Sequence, residues 1–205
     1  MIVRPAPERE PQSARRIFLF AGVGSCQPRA SSGRVRQGPR ALRPTMESDM
    51  QKISPCLWFD GQAEEAMNFY VSIFRNSRIG KVTRCGDAGP GPNGSVLVAS
   101  FELDGCRFSA LNGGPRFKFT EAVSFVVDCE DQAEVDHYWE RLSEGGEKQQ
   151  CGWLKDRFGV SWQVVPKALV ELLSDPDAEK AGRVMQAMLQ MTKIDIAALR
   201  RAYEG

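Results

Sequence analysis

One strand-and-helix phrase occurs twice in this chain, and that repetition limits what the chain can fold into. In Ile53 to Phe74, ISPCLWFDGQAEEAMNFYVSIF, an apolar run ends at Asp60. It gives way to helical spacing with Ala63, Ala66, Met67, Tyr70 and Phe74 three or four apart. Roughly seventy residues later AVSFVVDCEDQAEVDHYWERL repeats the plan: an apolar run, Asp128, then a helix bearing Ala133, Val135, Tyr138, Trp139 and Leu142. Both helices open with the same triplet, Gln62-Ala63-Glu64 and Gln132-Ala133-Glu134. Short strands follow each copy, so two similar halves should pack into one domain.

In the first half the alternation of Ser95 to Leu103 predicts a strand, and Asp104-Gly105 predicts a hairpin into a strand over Cys106 to Leu111. Pro55 marks a strand end or edge in Lys52 to Phe59, and Ser77 to Arg84 is a further strand. The Gly- and Pro-rich stretch from Gly86 to Gly94 reads as a loop. In the second half Val123 to Val127 and Trp162 to Val165 read as strands, with a turn at Asp156 to Gly159. After Pro166 come two or three helices. Asp175 is the expected N-cap of one with Pro176 at its first position, and Asp195 that of the last. The apolar stripe Val184, Met185, Met188, Leu189 predicts core or interface packing.

Residues 1–45 have a different composition, with nine arginines, six prolines, no lysine and no sustained period, and do not read as a domain. Two readings are open. Translation begins at Met46 or Met50, or the segment is disordered; alternatively Arg15-Arg16 before IFLFAGVGSC is an export signal with cleavage at Cys26. The apolar core Ile17 to Gly24 is about eight residues, at the short end for a signal, which favours the first reading.

The net charge of +1 hides this asymmetry. Of 27 basic and 26 acidic side chains, nine and two lie in 1–45, leaving 18 against 24 and about −6 on the remainder. That balance argues against nucleic-acid and anionic-membrane partners. No run approaches the roughly 20 apolar residues of a membrane span. The six cysteines form no C-x-x-C, which predicts buried reduced thiols in a cytoplasmic protein rather than disulfides or zinc ligands.

LWFDGQAEEAMNFYVSIF, FELDGCRFSALNGGP, EAVSFVVDCEDQAEVD, CGWLKDRFGVSWQVVP and the tail from DPDAEKAGR onward resemble the PhnB-like branch of the vicinal oxygen chelate superfamily. Its members often carry the label 3-demethylubiquinone-9 3-methyltransferase. The resemblance implies an α+β fold of two β-α-β-β-β modules forming a curved mixed sheet around a cup, of the glyoxalase/bleomycin-resistance kind. It places that domain at 46–166, with a C-terminal helical extension at 167–205. Catalytic relatives hold a divalent metal through His, Glu or Gln on the first, fourth, fifth and eighth strands. The matching positions here are Pro55, Asn112, Ala122 and Gln163, of which only Gln163 is a ligand type, so no metal is expected.

The expectation is therefore a protein holding an unknown small organic molecule without metal or other cofactor, as a homodimer. The binding candidates are Trp58, Asn112, Phe117, Ser124, Trp153 and Gln163. The first alternative is an enzyme working in the same cup through Asn112, Ser124 or Gln163, a glyoxalase- or dioxygenase-type lyase or oxidoreductase, or the methyltransferase of the label. No Gly-rich nucleotide turn supports the latter. The second alternative is an assembly protein using the Met-rich tail.

His137, the only histidine, reads as a solvated helix residue rather than an acid–base group. Asp60 and Asp128 read as stabilisers of the helix starts that follow them, and Gly113-Gly114 as the crossing between halves rather than an anion cradle. Some of Trp58, Trp153, Trp162, Phe117 and Phe119 must be plain core. If Gln163 faces the cup, Ser161 and Val165 share its face while Trp162 faces the helices.

Overall fold

The computed structural model describes residues 52–205, so the readings of residues 1–45 and of Met46 and Met50 lie outside the described residues. The first module runs β1 (Cys56–Phe59), α1 (Ala63–Ile73), β2 (Arg78–Arg84), β3 (Val96–Leu103), β4 (Cys106–Asn112). The second repeats it as β5 (Ser124–Cys129), α2 (Gln132–Leu142), β6 (Glu147–Lys148), β7 (Trp153–Lys155), β8 (Ser161–Pro166). Each forms a four-stranded mixed sheet, ordered β1-β4-β3-β2 and β5-β8-β7-β6, whose first strand pairs in parallel with its last. This is the two-module α+β architecture that the repeat implies.

The period-2 alternation decides what each sheet buries. Leu57, Phe59, Ala99, Phe101, Leu103, Phe108 and Ala110 turn to the α1 side, where Ala63, Ala66, Met67, Tyr70 and Ile73 form the buried stripe of the helix. In the second sheet Val127, Cys129, Leu154, Trp162 and Val164 meet Val135, Trp139 and Leu142 of α2. All of these belong to one core. Each large side chain buried there contributes about 1.5–3 kcal/mol relative to exposure. Ring contacts cross between modules, Tyr70 to Trp162 at 5.4 Å and Phe108 to Phe125 at 5.3 Å.

Three helices follow: α3 (Lys167–Leu173), α4 (Ala178–Leu189) and α5 (Ile196–Glu204). Leu169, Val184, Met188, Ile194 and Leu199 form a second core with Cys151 and Val165, and Trp153 packs against it. Val165 and Trp153 share the sheet face of Gln163, opposite α2, so the extension covers one end of that face. Gln132 of α2 fastens the extension. Its Nε2 donates to the Ile194 carbonyl at 3.1 Å, and its Oε1 accepts from the Ile196 amide at 2.9 Å. Of the apolar stripe on α4, Val184 and Met188 are buried while Met185 and Leu189 stay partly exposed. No helix among the described residues is long and apolar enough to cross a membrane.

Several local expectations are corrected. The first strand starts at Cys56 rather than Lys52: the Pro55 carbonyl still accepts from the Ser109 amide at 3.0 Å, but proline has no N–H to carry the ladder further. Asp128 does not cap α2. Asp131 does, accepting from the Glu134 amide, because it is the residue adjoining the first helical turn. Asp60 caps nothing at α1, where the Ala63 amide donates instead to Asn112 Oδ1 at 2.9 Å. The N-cap of α4 is Asp177, not Asp175; Asp175 forms the turn before it and accepts from Tyr203 Oη. Asp195 caps α5 as expected. His137 is an exposed helix residue, but its Nε2 lies 3.0 Å from the Ile73 carbonyl and so joins the two module helices.

Candidate functional site

The strand ends of the first sheet, the start of α1 and the β2–β3 loop line a cavity of about 780 Å³ that is open to solvent on one side. Trp58, Val96, Leu97, Leu111, Pro90 and Pro92 give it an apolar wall. Glu64 and Arg84 stand in its lining as an ion pair, Nη2 to Oε1 at 2.7 Å. Its size lies within the ordinary range for small-molecule pockets, about 300–1,000 Å³.

Trp58 owes its place to its neighbours. Its position on β1 puts it on the sheet face away from α1, alternating with the buried Leu57 and Phe59. The indole lies directly on Gly113, where a Cβ would fall inside the ring's van der Waals envelope. Its Nε1 donates to the Gly114 carbonyl at 2.8 Å, and Phe117 meets it edge-on at 5.0 Å. The two glycines thus serve the crossing between modules and also make the close approach that locks the indole.

Asn112 lines the cavity, but both ends of its amide are engaged. Oδ1 holds the α1 start and Nδ2 donates to the Val96 carbonyl at 2.9 Å. The amide thus satisfies a free N–H of the first helical turn and ties β4, α1 and β3 together. Ser95 Oγ is likewise taken, donating to the Pro92 carbonyl.

The other expected site residues fall on the second sheet. Gln163 Nε2 donates to Ser124 Oγ at 2.8 Å, and Trp153 is the cross-strand neighbour of Gln163. The structure thus gathers Trp58, Asn112 and Phe117 at one place, and Ser124, Gln163 and Trp153 at another. Trp153 packs largely against the C-terminal helices. Sequence reasoning missed Glu64, Arg84 and the β2–β3 loop as cavity lining. The Gly- and Pro-rich composition of that loop was the available signal, but nothing local tied it to Trp58.

The four positions that would hold a metal do not converge as donors. Pro55 precedes β1, Ala122 lies in the turn before β5, Asn112 is occupied as described, and Gln163 is bonded to Ser124. Among the described residues no group of three or more His, Cys, Asp or Glu side chains is placed to hold an ion. This donor set does not fit a divalent-metal centre. Two of the buried thiols are poor nucleophiles. Cys129 is pushed up to about 12, chiefly by burial, and burial raises Cys151 as well. Cys56 is exposed, contrary to the expectation of buried thiols.

Two four-stranded mixed sheets, each built β-α-β-β-β, with helices and a C-terminal extension, define a protein of the glyoxalase/bleomycin-resistance fold. Residues 51–165 match the family model described as 3-demethylubiquinone-9 3-methyltransferase, and the chain belongs to that family. A similar solved structure is a putative 3-demethylubiquinone-9 3-methyltransferase, PhnB protein, from Bacillus cereus. It is 39% identical, with 57% of this chain and 99% of that one covered and a TM-score of 0.54. The protein PA1353 from Pseudomonas aeruginosa is 24% identical over 56% of this chain and 96% of its own, with a TM-score of 0.48. The fosfomycin resistance protein FosX from Listeria monocytogenes, in complex with Mn(II) and sulfate, is 15% identical over 56% and 87%, with a TM-score of 0.40. A search of the curated proteins returns no match.

Proposed function

We propose that this protein binds a small organic molecule without a resident metal, in the cavity walled by Trp58. One observation carries the reading: about 780 Å³ of mostly apolar space beside an indole locked by Gly113 and Gly114. A pocket with an apolar wall and few polar groups is the ordinary form of a small-molecule site. The donor set described above supports the metal-free part.

The working form is a homodimer, with Phe117, Val123 and Val126, on and before the edge strand β5, against a second copy. Each of these is half exposed or more. An edge strand with such residues is a pairing surface. Buried thiols at Cys85, Cys129 and Cys151 suit a reducing compartment, and the cytoplasm is the proposed location.

Thermal melting of the full chain against aromatic alcohols, quinones, S-adenosylmethionine, Mn²⁺ and Zn²⁺ tests the reading. The expected result is a rise of about 5–10 °C at a hundredfold excess of an organic ligand over its Kd. Trp58→Leu should abolish that rise. A shift with metal alone overturns the metal-free part. A shift with S-adenosylmethionine, followed by methyl transfer, replaces this reading with the activity in the family's description. Light scattering at micromolar concentration tests the dimer, and a monomer mass rejects it.

A further inference from the structure

We propose that the cavity takes an organic anion, a carboxylate on an apolar body, whose charged group replaces Glu64 on Arg84. The inference rests on the cavity being the binding site. It adds the class of ligand.

Among the described residues, Glu64 and Arg84 are the only charged side chains in the cavity lining. The other polar groups are unavailable for a strong contact. Asn112 holds the α1 start and the Val96 carbonyl, Ser95 Oγ is bonded to the loop, and a buried thiol such as Cys85 is a weak donor. Among the lining side chains, exchange within the ion pair is therefore the strongest means of recognising a ligand's charged group.

The exchange has a preferred direction. Arg84 has two anchors: its Nη2 and Nη1 reach Glu64 at 2.7 and 3.5 Å, while Nη1 also donates to the Gly94 carbonyl at 3.2 Å. Glu64 has only Arg84 as a side-chain partner in the lining, and the two side chains are similarly exposed, 44% and 50%. Releasing Glu64 to water leaves Arg84 still bonded to Gly94 and facing the cavity. Releasing Arg84 to admit a cation would break both sets of contacts. An exposed pair of this kind contributes little to stability, so its exchange costs little. A guanidinium fork accepts one carboxylate in place of another without new geometry. Glu64 is thus an internal competitor for the ligand's own carboxylate.

Calorimetric titration of the full chain with 2-naphthoate and with the uncharged 2-naphthamide tests this. Wild type should prefer the carboxylate. Glu64→Gln should tighten 2-naphthoate by up to about fivefold, the value of an exposed ion pair, and leave 2-naphthamide unchanged. Arg84→Gln should weaken 2-naphthoate by about tenfold, the loss of a charged hydrogen bond, and so bring the two probes together. Melting curves of both variants establish that they are folded. Equal binding of both probes, unmoved by either substitution, overturns the anion inference and leaves the cavity reading standing. Preference for 2-naphthylmethylamine overturns the inference in the same way. Binding of none of the probes at millimolar concentration removes both.

Discussion

Tyr70 Oη donates to Asp156 Oδ2 at 2.7 Å across 86 positions of sequence. The bond joins the helix of the first module to the β7–β8 turn of the second, inside the shared core. Asp156 is only 3% exposed, and all four of its neighbours are donors: Tyr70 Oη, Trp162 Nε1 and the amides of Phe158 and Val160. Tyr70→Phe should lower stability by about 1.5–3 kcal/mol, the range for a bond to a charged group. Asp156→Ala strands several buried donors and should lose at least about 3 kcal/mol. Urea midpoints read both.

The same carboxyl gives a pH signature. Burial is the largest influence and raises its pKa from the usual carboxylate range, while the four donors pull it back down. The folded state then holds this proton more tightly than the unfolded chain. The group's contribution is full below about pH 4 and is lost as pH rises through the folded pKa. Exposed acids act in the opposite sense. Asp136 beside Lys193, Asp175 under Tyr203 Oη and Glu121 beside Lys155 are lowered by those hydrogen bonds, and their stabilisation is lost as pH falls through their folded pKa values. Subtracting the stability–pH curve of Asp156→Asn from that of wild type should leave a term that declines as pH rises above about 4. A flat difference would refute the assignment.

Gly113→Ala tests how the cavity wall is held. The new methyl group must displace the indole of Trp58, because the two cannot share the space. A loss of about 1–3 kcal/mol is expected, together with a change in tryptophan emission. Stability and emission both equal to wild type would show that the indole is not locked.

Gln132 should control the C-terminal helices independently of the sheets. Gln132→Ala removes the bonds to Ile194 and Ile196. Hydrogen exchange of residues 194–205 should speed by about tenfold while β3 and β4 keep their protection. Equal acceleration in β3 would mean that the extension and the sheets open as one unit.

The architecture was legible because its signals are local. The doubled strand-helix phrase, the Asp104-Gly105 turn and the alternation of Ser95 to Leu103 all lie within a few residues, and Asp104 and Gly105 do take the positive φ values such a turn requires. Asn112 was legible as polar and well placed, but not as a helix cap, because the amide it serves is 49 positions away. Asp156 looked like an ordinary turn residue; its donors include Tyr70 from the other module. Trp58 and Phe117 meet because Gly113 permits it, and Gly-Gly reads equally well as a simple crossing. Contacts that depend on long-range placement leave no short-range trace. The candidate site consists largely of such contacts.

The pairing of each first strand with its own last strand bears on synthesis. Cys56 waits for Ser109, and Ser124 for Ser161, so a leading strand emerges from the ribosome long before its partner exists. At about 5–20 residues per second the first wait lasts several seconds. During that time the strand has α1, and then β2 and β3, beside it, but not the strand it pairs with. The second module, with the shorter gap, closes sooner and onto a neighbour already made.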